Sequence, residues 1–139
     1  MSDLYMFYSY GGDTQKLAQS LASQSGGELC EIKEVKRRTI FGAFFRGCPA
    51  AVKRRPSNII SPDIDFSQYS RVVLMAPVWA NYPAPAFNAM AALLPKGTQI
   101  SVKLLSGSGK STDASQTKSF LENMGLEVLD IEDIKTEKK

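Results

Sequence analysis

The first 25 residues join a strand, a turn and a helix without interruption, and this junction constrains the fold more than any other segment. Asp3–Ser9 is a short and nearly continuous apolar run, which indicates a buried strand. Leucine and alanine then recur at helical spacing through Gln15–Ser25. Between them, Tyr10–Thr14 supplies a hydroxyl- and glycine-rich turn that directs backbone N–H groups and a helix dipole at one spot. The junction is therefore a candidate phosphate site; the alternative is an ordinary turn that Asp13 or Thr14 caps without a ligand.

The rest of the chain alternates between expected strands and expected helices. Four more strands are predicted, at Glu28–Val35, Arg71–Pro77, Gln99–Ser106 and Leu126–Ile131. Helices are predicted at Pro83–Leu94 and Ser111–Met124, and helical spacing with a break at Pro49 runs through Thr39–Arg55. This order predicts an α/β fold with a parallel sheet between two helical layers and a ligand site outside the carboxyl ends of the strands. Because no helix follows the fifth strand, part of one sheet face should lack cover.

Three loops at the carboxyl ends of predicted strands carry chemistry that suits one ligand site. They are Ser9–Thr14, Pro77–Pro85 and Ser106–Gly109. The second loop holds Trp79 and Tyr82 between prolines, and these rings can stack on a planar ligand or simply pack on a neighbouring loop. A phosphate site beside a flat aromatic surface favours a phosphorylated, planar ligand.

The segment Ser106–Ser111 ends in Gly-Lys-Ser, which invites comparison with a nucleotide-triphosphate P-loop. That motif requires a glycine five residues before the glycine of Gly-Lys, and Leu104 stands there. We therefore interpret the segment as a third ligand loop or a plain turn.

Composition excludes several classes of function. The 139 residues contain no histidine, which rules out imidazole catalysis and histidine-ligated zinc, and the net charge of +3 does not by itself indicate nucleic acid. Cys30 and Cys48 lack the spacing of a metal site and are expected to be free thiols of a cytoplasmic protein. No apolar run approaches a membrane span and no signal peptide is apparent. One domain is expected over residues 1–134, with a frayed lysine-rich tail over 135–139.

Seven cations make the middle of the chain basic: Lys36, Arg37, Arg38, Arg46, Lys53, Arg54 and Arg55. Such a run is usually a solvated helix face, and the alternative is a docking surface for an acidic partner or an anionic membrane.

In order along nearly the whole chain, these motifs resemble the flavodoxin family of small FMN-carrying proteins. Ser9–Thr14 is similar to the family's phosphate loop, and Asp65–Tyr69 is similar to the stretch before its third strand. Pro77–Ala80 with Pro83–Pro85 resembles a motif of the small bacterial members. The resemblance implies a doubly wound five-stranded parallel sheet of order 2-1-3-4-5, without the final helix of the family.

The resemblance also implies FMN as cofactor, with no catalytic side chain and no metal. The implied binding residues come from the three loops: Ser9, Tyr10, Gly11, Gly12, Asp13 and Thr14 at the phosphate; Pro77, Val78, Trp79, Ala80, Asn81 and Tyr82 beside the isoalloxazine ring; and Ser106, Gly107, Ser108 and Gly109 on its other side. The chain departs from the family pattern at Gly11, which replaces a threonine, and at Asp13, which replaces an asparagine.

Three functions remain open at this point. The first is an electron carrier that serves redox partner proteins, and the second is an NAD(P)H-dependent flavin or quinone reductase. The third is a flavin-free interaction module that has kept the fold. A homodimer is expected because a soluble protein rarely leaves a large apolar sheet face open.

Overall fold

The computed structural model describes residues 2–35, 48–111 and 114–136. Six strands are present in this part of the chain: β1 (Asp3–Phe7), β2 (Glu28–Glu31), β3 (Arg71–Trp79), β4 (Tyr82–Pro83), β5 (Gln99–Ser106) and β6 (Glu127–Lys135). Its four α-helices are α1 (Asp13–Ser25), α2 (Cys48–Val52), α3 (Pro85–Leu93) and α4 (Ala114–Asn123). A short 3₁₀ turn covers Phe66–Gln68.

The five long strands form one parallel sheet in the order β2-β1-β3-β5-β6. Strand β4 stands outside that order and pairs antiparallel with the end of β3. Without β4, the order is 2-1-3-4-5, so the flavodoxin-like α/β fold expected from the sequence is confirmed.

Side chains divide between the two faces of the sheet because successive residues of a strand point in opposite directions. One face carries the larger buried cluster, with Leu74 and Val102 beneath Phe87 of α3 and Leu121 of α4. The other face is smaller, and there α1 covers Tyr5, Phe7, Val73 and Met75. Both clusters converge on β1 and β3, which fixes the carboxyl ends of these two strands at the middle of one edge.

Several helices and strands begin or end at other residues than the sequence predicts. Residue Pro83 lies in β4 rather than in a helix, and α3 begins at Pro85. The second strand ends at Glu31, after which Glu34 forms an isolated antiparallel bridge with Ile59. Of the helical pattern predicted over Thr39–Arg55, residues 39–47 lie outside the described part of the chain.

The fifth parallel strand is longer than predicted, and the expectation of fraying from Lys135 onward is wrong at that residue. Strand β6 runs to Lys135, which pairs with Ser106 of β5. The register shift between Ile100 and Ser101 lies before this extension, which pairs regularly with β5. Among the described residues that follow β6, no helix is present.

The sheet face left open beyond α1 is polar, not apolar. Arg71 donates hydrogen bonds to Asp3 at 2.6 Å and to Ser101 at 3.0 Å, and Lys103 pairs with Glu132 at 3.5 Å. We call these five residues the open face. The homodimer was expected because an uncovered sheet face would be apolar, and ion pairs can instead remain in contact with water. That argument therefore does not hold at the open face, and the homodimer itself stays a prediction.

Candidate functional site

The loop between β1 and α1 (residues 9–14) leaves the start of α1 without a side-chain cap. Gly12, at φ +100°, is the N-cap residue, and its own N–H donates to the Ser9 hydroxyl at 3.0 Å. Within the described chain no side chain accepts from the first turn of α1, so the alternative in which Asp13 or Thr14 caps the helix is wrong. The first-turn N–H groups therefore remain available to an anion.

The three predicted loops do converge. A cavity of about 200 Å³ opens where they meet, beside the start of α1. Its lining residues are Tyr10, Gly11, Asp13, Thr14, Pro77, Leu105, Ser106, Gly107 and Thr136. Tyr10 and Thr14 of the first loop and Ser106 of the third loop thus bring hydroxyl groups to a space large enough for a small anion.

A larger cleft of about 640 Å³ adjoins this cavity on the other side of the 9–14 loop. It lies between that loop and the carboxyl end of β2, and Tyr10 and Gly11 border both spaces. Its lining residues are Tyr8, Ser9, Tyr10, Gly11, Gly12, Gln15, Glu31, Ile32, Lys33 and Glu34. This volume lies within the range of small-molecule pockets, about 300–1,000 Å³.

The tryptophan of the second loop stands beside the first loop. Trp79 packs edge-on against Tyr10, with ring centroids 5.7 Å apart, and against Tyr8 at 6.2 Å. The phenol of Tyr8 in turn donates to Glu34 Oε1 at 2.6 Å. The orientation of Trp79, which the sequence predicts beside the flavin ring, is therefore fixed by its contacts with Tyr8 and Tyr10.

The other residues of the second loop form a tight hairpin over residues 78–83. Strands β3 and β4 pair Val78 with Pro83 and Trp79 with Tyr82, and Ala80 and Asn81 make the turn at φ +51° and +69°. Two successive positive φ values are those of a type I′ turn, which joins twisted strands without splaying them. Tyr82 lies against the Arg54 guanidinium, whose carbon is 5.3 Å from the ring centroid.

The third loop divides in two. Ser106 and Gly107 line the small cavity, whereas Ser108 and Gly109 continue the turn away from it. The hydroxyls of Ser106 and Ser108 accept from the Lys110 N–H, and a Cβ at Gly109 would meet Lys135 Cβ at 3.0 Å. The structure thus brings the first half of this loop to the site and packs the second half on the end of β6.

The described residues contain no cluster of acidic and cysteine side chains that could hold a metal ion. Cys30 is a buried free thiol, and desolvation raises its pKa, which makes it a weak nucleophile at neutral pH. No helix in the described ranges is long and apolar enough to cross a membrane.

Sequence reasoning missed the wall of the larger cleft at the end of β2, namely Glu31, Lys33 and Glu34. A signal was present, because the order 2-1-3-4-5 places the second strand next to the first, so that their carboxyl ends are neighbours. It also missed Arg54, which the sequence shows only as one of seven cations.

No protein-family model matches this sequence, and no curated protein matches it. Solved structures do match. A flavoprotein from Lactobacillus acidophilus NCFM, crystallised in complex with FMN, is similar with a TM-score of 0.70 and 21% identity over 94% of this chain and 91% of its own. A candidate flavoprotein from Bacteroides eggerthii DSM 20697 has a TM-score of 0.78 at 18% identity and covers 94% of this chain and 86% of its own. A second one, from Bacteroides uniformis ATCC 8492, has a TM-score of 0.77 at 17% identity, over 94% and 87%.

At these identities the likeness shows the fold. The chain is a flavodoxin-like α/β protein, and its structural neighbours include flavoproteins.

Proposed function

We propose that this chain is an FMN-binding protein that transfers electrons, with the flavin at the carboxyl edge of β1, β3 and β5. The single observation that carries the proposal is the uncapped start of α1, where Gly12 directs the chain into the helix without a side-chain cap. An anion at that place would satisfy N–H groups that would otherwise depend on water. The Lactobacillus acidophilus flavoprotein, which has the same fold, was crystallised with FMN.

The residues present fit the two ends of FMN. For the phosphate, the 9–14 loop supplies backbone N–H groups, and Thr14 lines the small cavity beside them. Ser106, at the end of β5, adds a hydroxyl to the same cavity. Trp79 and Tyr10 provide aromatic surface for the isoalloxazine ring next to that cavity. Such stacking contributes about 0.5–1.5 kcal/mol per aromatic pair beyond the area buried.

When bound, the flavin itself accepts and donates electrons, so the protein need only bind, orient and shield it. The backbone around Gly12 would orient the phosphate, and the rigidly packed Trp79 would set the plane of the ring. Asp13 opposes binding, because it places a carboxylate on the wall of the phosphate cavity. Redox partner proteins and a cytoplasmic location belong to the same proposal.

A titration of the apo-protein with FMN and, in parallel, with riboflavin tests the proposal. We expect FMN to bind with quenching of its fluorescence, and riboflavin, which lacks the phosphate, to bind at least tenfold more weakly. Flavin emission that stays unchanged at micromolar protein and FMN would overturn the proposal. Equal affinity for the two flavins would show that the start of α1 does not hold the phosphate.

The role of Trp79 is tested with Trp79→Ala, and Trp79→Phe serves as the matched control because it keeps an aromatic face. We expect the alanine variant to weaken FMN binding and restore flavin emission, and the phenylalanine variant to retain most of the affinity. Steady-state consumption of NAD(P)H by the loaded protein, without any added reductase, would instead favour the flavin or quinone reductase.

A further inference from the structure

The backbone at Arg54 occupies a position that favours glycine. Helix α2 ends in a Schellman motif, in which the Arg55 N–H donates to Ala50 O at 2.8 Å and the Arg54 N–H donates to Ala51 O at 3.0 Å. The residue between these bonds is Arg54, with φ +52°. Glycine usually fills this place because a Cβ is strained in the left-handed region. An arginine here therefore needs a compensating role for its side chain.

The side chain of Arg54 is held by three groups. Its guanidinium carbon lies 5.3 Å from the ring centroid of Tyr82 and 5.3 Å from that of Phe120, and Nη2 donates to Thr117 Oγ1 at 3.0 Å. Thr117 and Phe120 belong to helix α4, and Thr117 is fully buried. Tyr82 belongs to the 78–83 hairpin, so Arg54 connects that hairpin to α2 and α4.

This arrangement is not the one that stability alone would select. The Nη1 atom of Arg54 is buried, and no group of the described residues accepts a hydrogen bond from it. Burial lowers the pKa of the guanidinium, and the nearby Tyr82 opposes that shift, but an arginine keeps its charge. A partly buried cation with one buried and unsatisfied donor atom weakens a fold, and a nonpolar side chain of similar length would avoid that cost.

The gain lies in the geometry of the hairpin. Tyr82 pairs directly with Trp79 across the two strands, and Trp79 contacts Tyr8 and Tyr10 at the proposed flavin site. The turn that joins them, Ala80-Asn81, has two positive φ values without a glycine, so it relies on tertiary contacts to keep its shape. Arg54 supplies one such contact, through the ring of Tyr82.

We propose that Arg54 is a positioning residue of the proposed flavin site, which fixes the 78–83 hairpin and thereby Trp79, at a cost in stability. The expected effect on flavin binding rests on the proposed function. The expected effect of Arg54 on the position of the hairpin does not, because it can be measured in the apo-protein.

The test compares Arg54→Met with Arg55→Met as the matched control. Both variants remove one positive charge at neighbouring positions, but the Arg55 side chain is exposed. Because Trp79 is the only tryptophan in the chain, its near-UV circular dichroism reports the hairpin in the absence of flavin. We expect Arg54→Met to change that band, to weaken FMN binding about tenfold, and to leave the unfolding midpoint within about 3 °C of the original or above it. Arg55→Met should leave all three unchanged.

Two further variants separate the alternatives. Arg54→Lys keeps the charge without the planar group, so it should behave like Arg54→Met. Thr117→Val removes only the hydroxyl that accepts from Nη2, and it should shift the Trp79 band in the same direction even if Arg54→Met fails to fold.

The proposal is overturned by an unchanged Trp79 band in Arg54→Met, by a normal band in Arg54→Lys, or, where Arg54→Met folds, by a fall of its midpoint of more than about 3 °C. Were Arg54→Met unfolded, an unchanged band in Thr117→Val would overturn it equally. If the unaltered protein takes up no FMN, the proposed function fails, and the Trp79 band of the apo-protein still decides the role of Arg54.

Discussion

Replacing Gly12 by alanine should separate backbone strain from steric contact at the start of α1. Gly12 has φ +100°, and a Cβ built there meets no atom of the described residues within 4 Å. The whole cost therefore comes from forcing an L-residue into left-handed backbone, about 1–2 kcal/mol or somewhat more because the angle lies beyond the usual αL range. For a chain of this length, that loss lowers the unfolding midpoint by about 3–8 °C.

Gly11→Ala is the matched control, since Gly11 is the adjacent residue and also has no atom within 4 Å of an added Cβ, but it has no positive φ. Thermal unfolding of the apo-protein, followed by far-UV circular dichroism, should show the loss for Gly12→Ala and a change within about 1 °C for Gly11→Ala. Equal losses in the two variants would refute the assignment of the cost to the backbone angle. An FMN titration of the same proteins should show weaker binding by the Gly12 variant, because the first N–H groups of α1 are oriented by that residue.

Three other predictions address the site, the packing and the assembly. Asp13→Asn should tighten FMN binding about three- to thirtyfold. A carboxylate about 6 Å from a phosphate charge costs about 0.7 kcal/mol in water and about 3 kcal/mol at an effective dielectric of 20, and we expect the lower half of that range because Asp13 is only partly buried. Equal affinities of the two proteins at neutral pH would contradict the prediction. Gly27→Ala should destabilise the fold by about 1–3 kcal/mol, because its Cβ would lie 2.6 Å from Tyr5 Cε2 and 2.9 Å from a backbone oxygen; urea unfolding measures the loss, with Gly107→Ala, which has open space and no positive φ, as the unaffected control. Light scattering at tens of micromolar tests the predicted homodimer, which a monomer mass would contradict; a dimer that does form should use a surface other than the open face, so Lys103→Glu should leave its mass unchanged.

The order of strands and helices followed from the sequence because each is a local signal. The apolar run of β1 and the helical spacing of α1 are legible residue by residue, and parallel strands joined by helices allow few topologies. The convergence of Ser9–Thr14 with Pro77 and Ser106 followed in turn, since the carboxyl ends of neighbouring parallel strands meet at one edge.

The features that were predicted wrongly from the sequence depend on contacts between residues far apart in the chain. Pairing with β5 extends β6 to Lys135, although the local composition there suggests a frayed tail. The ion pair between Lys103 and Glu132 contributes to the polarity of the open face, and it can be recognised only once the register of β5 and β6 is known.

The sequence alone determined a parallel α/β sheet with a glycine-rich turn at the start of α1 and an aromatic loop two strands later in the sequence. Only the tertiary structure decided that α1 starts without a side-chain cap, that Trp79 packs on Tyr10, and that Arg54 lies beneath Tyr82. The physical reason is that hydrophobic periodicity is repeated along the chain and can be read locally. A cap, a ring contact or a stacked guanidinium depends instead on single side chains from segments that meet only after the sheet has formed.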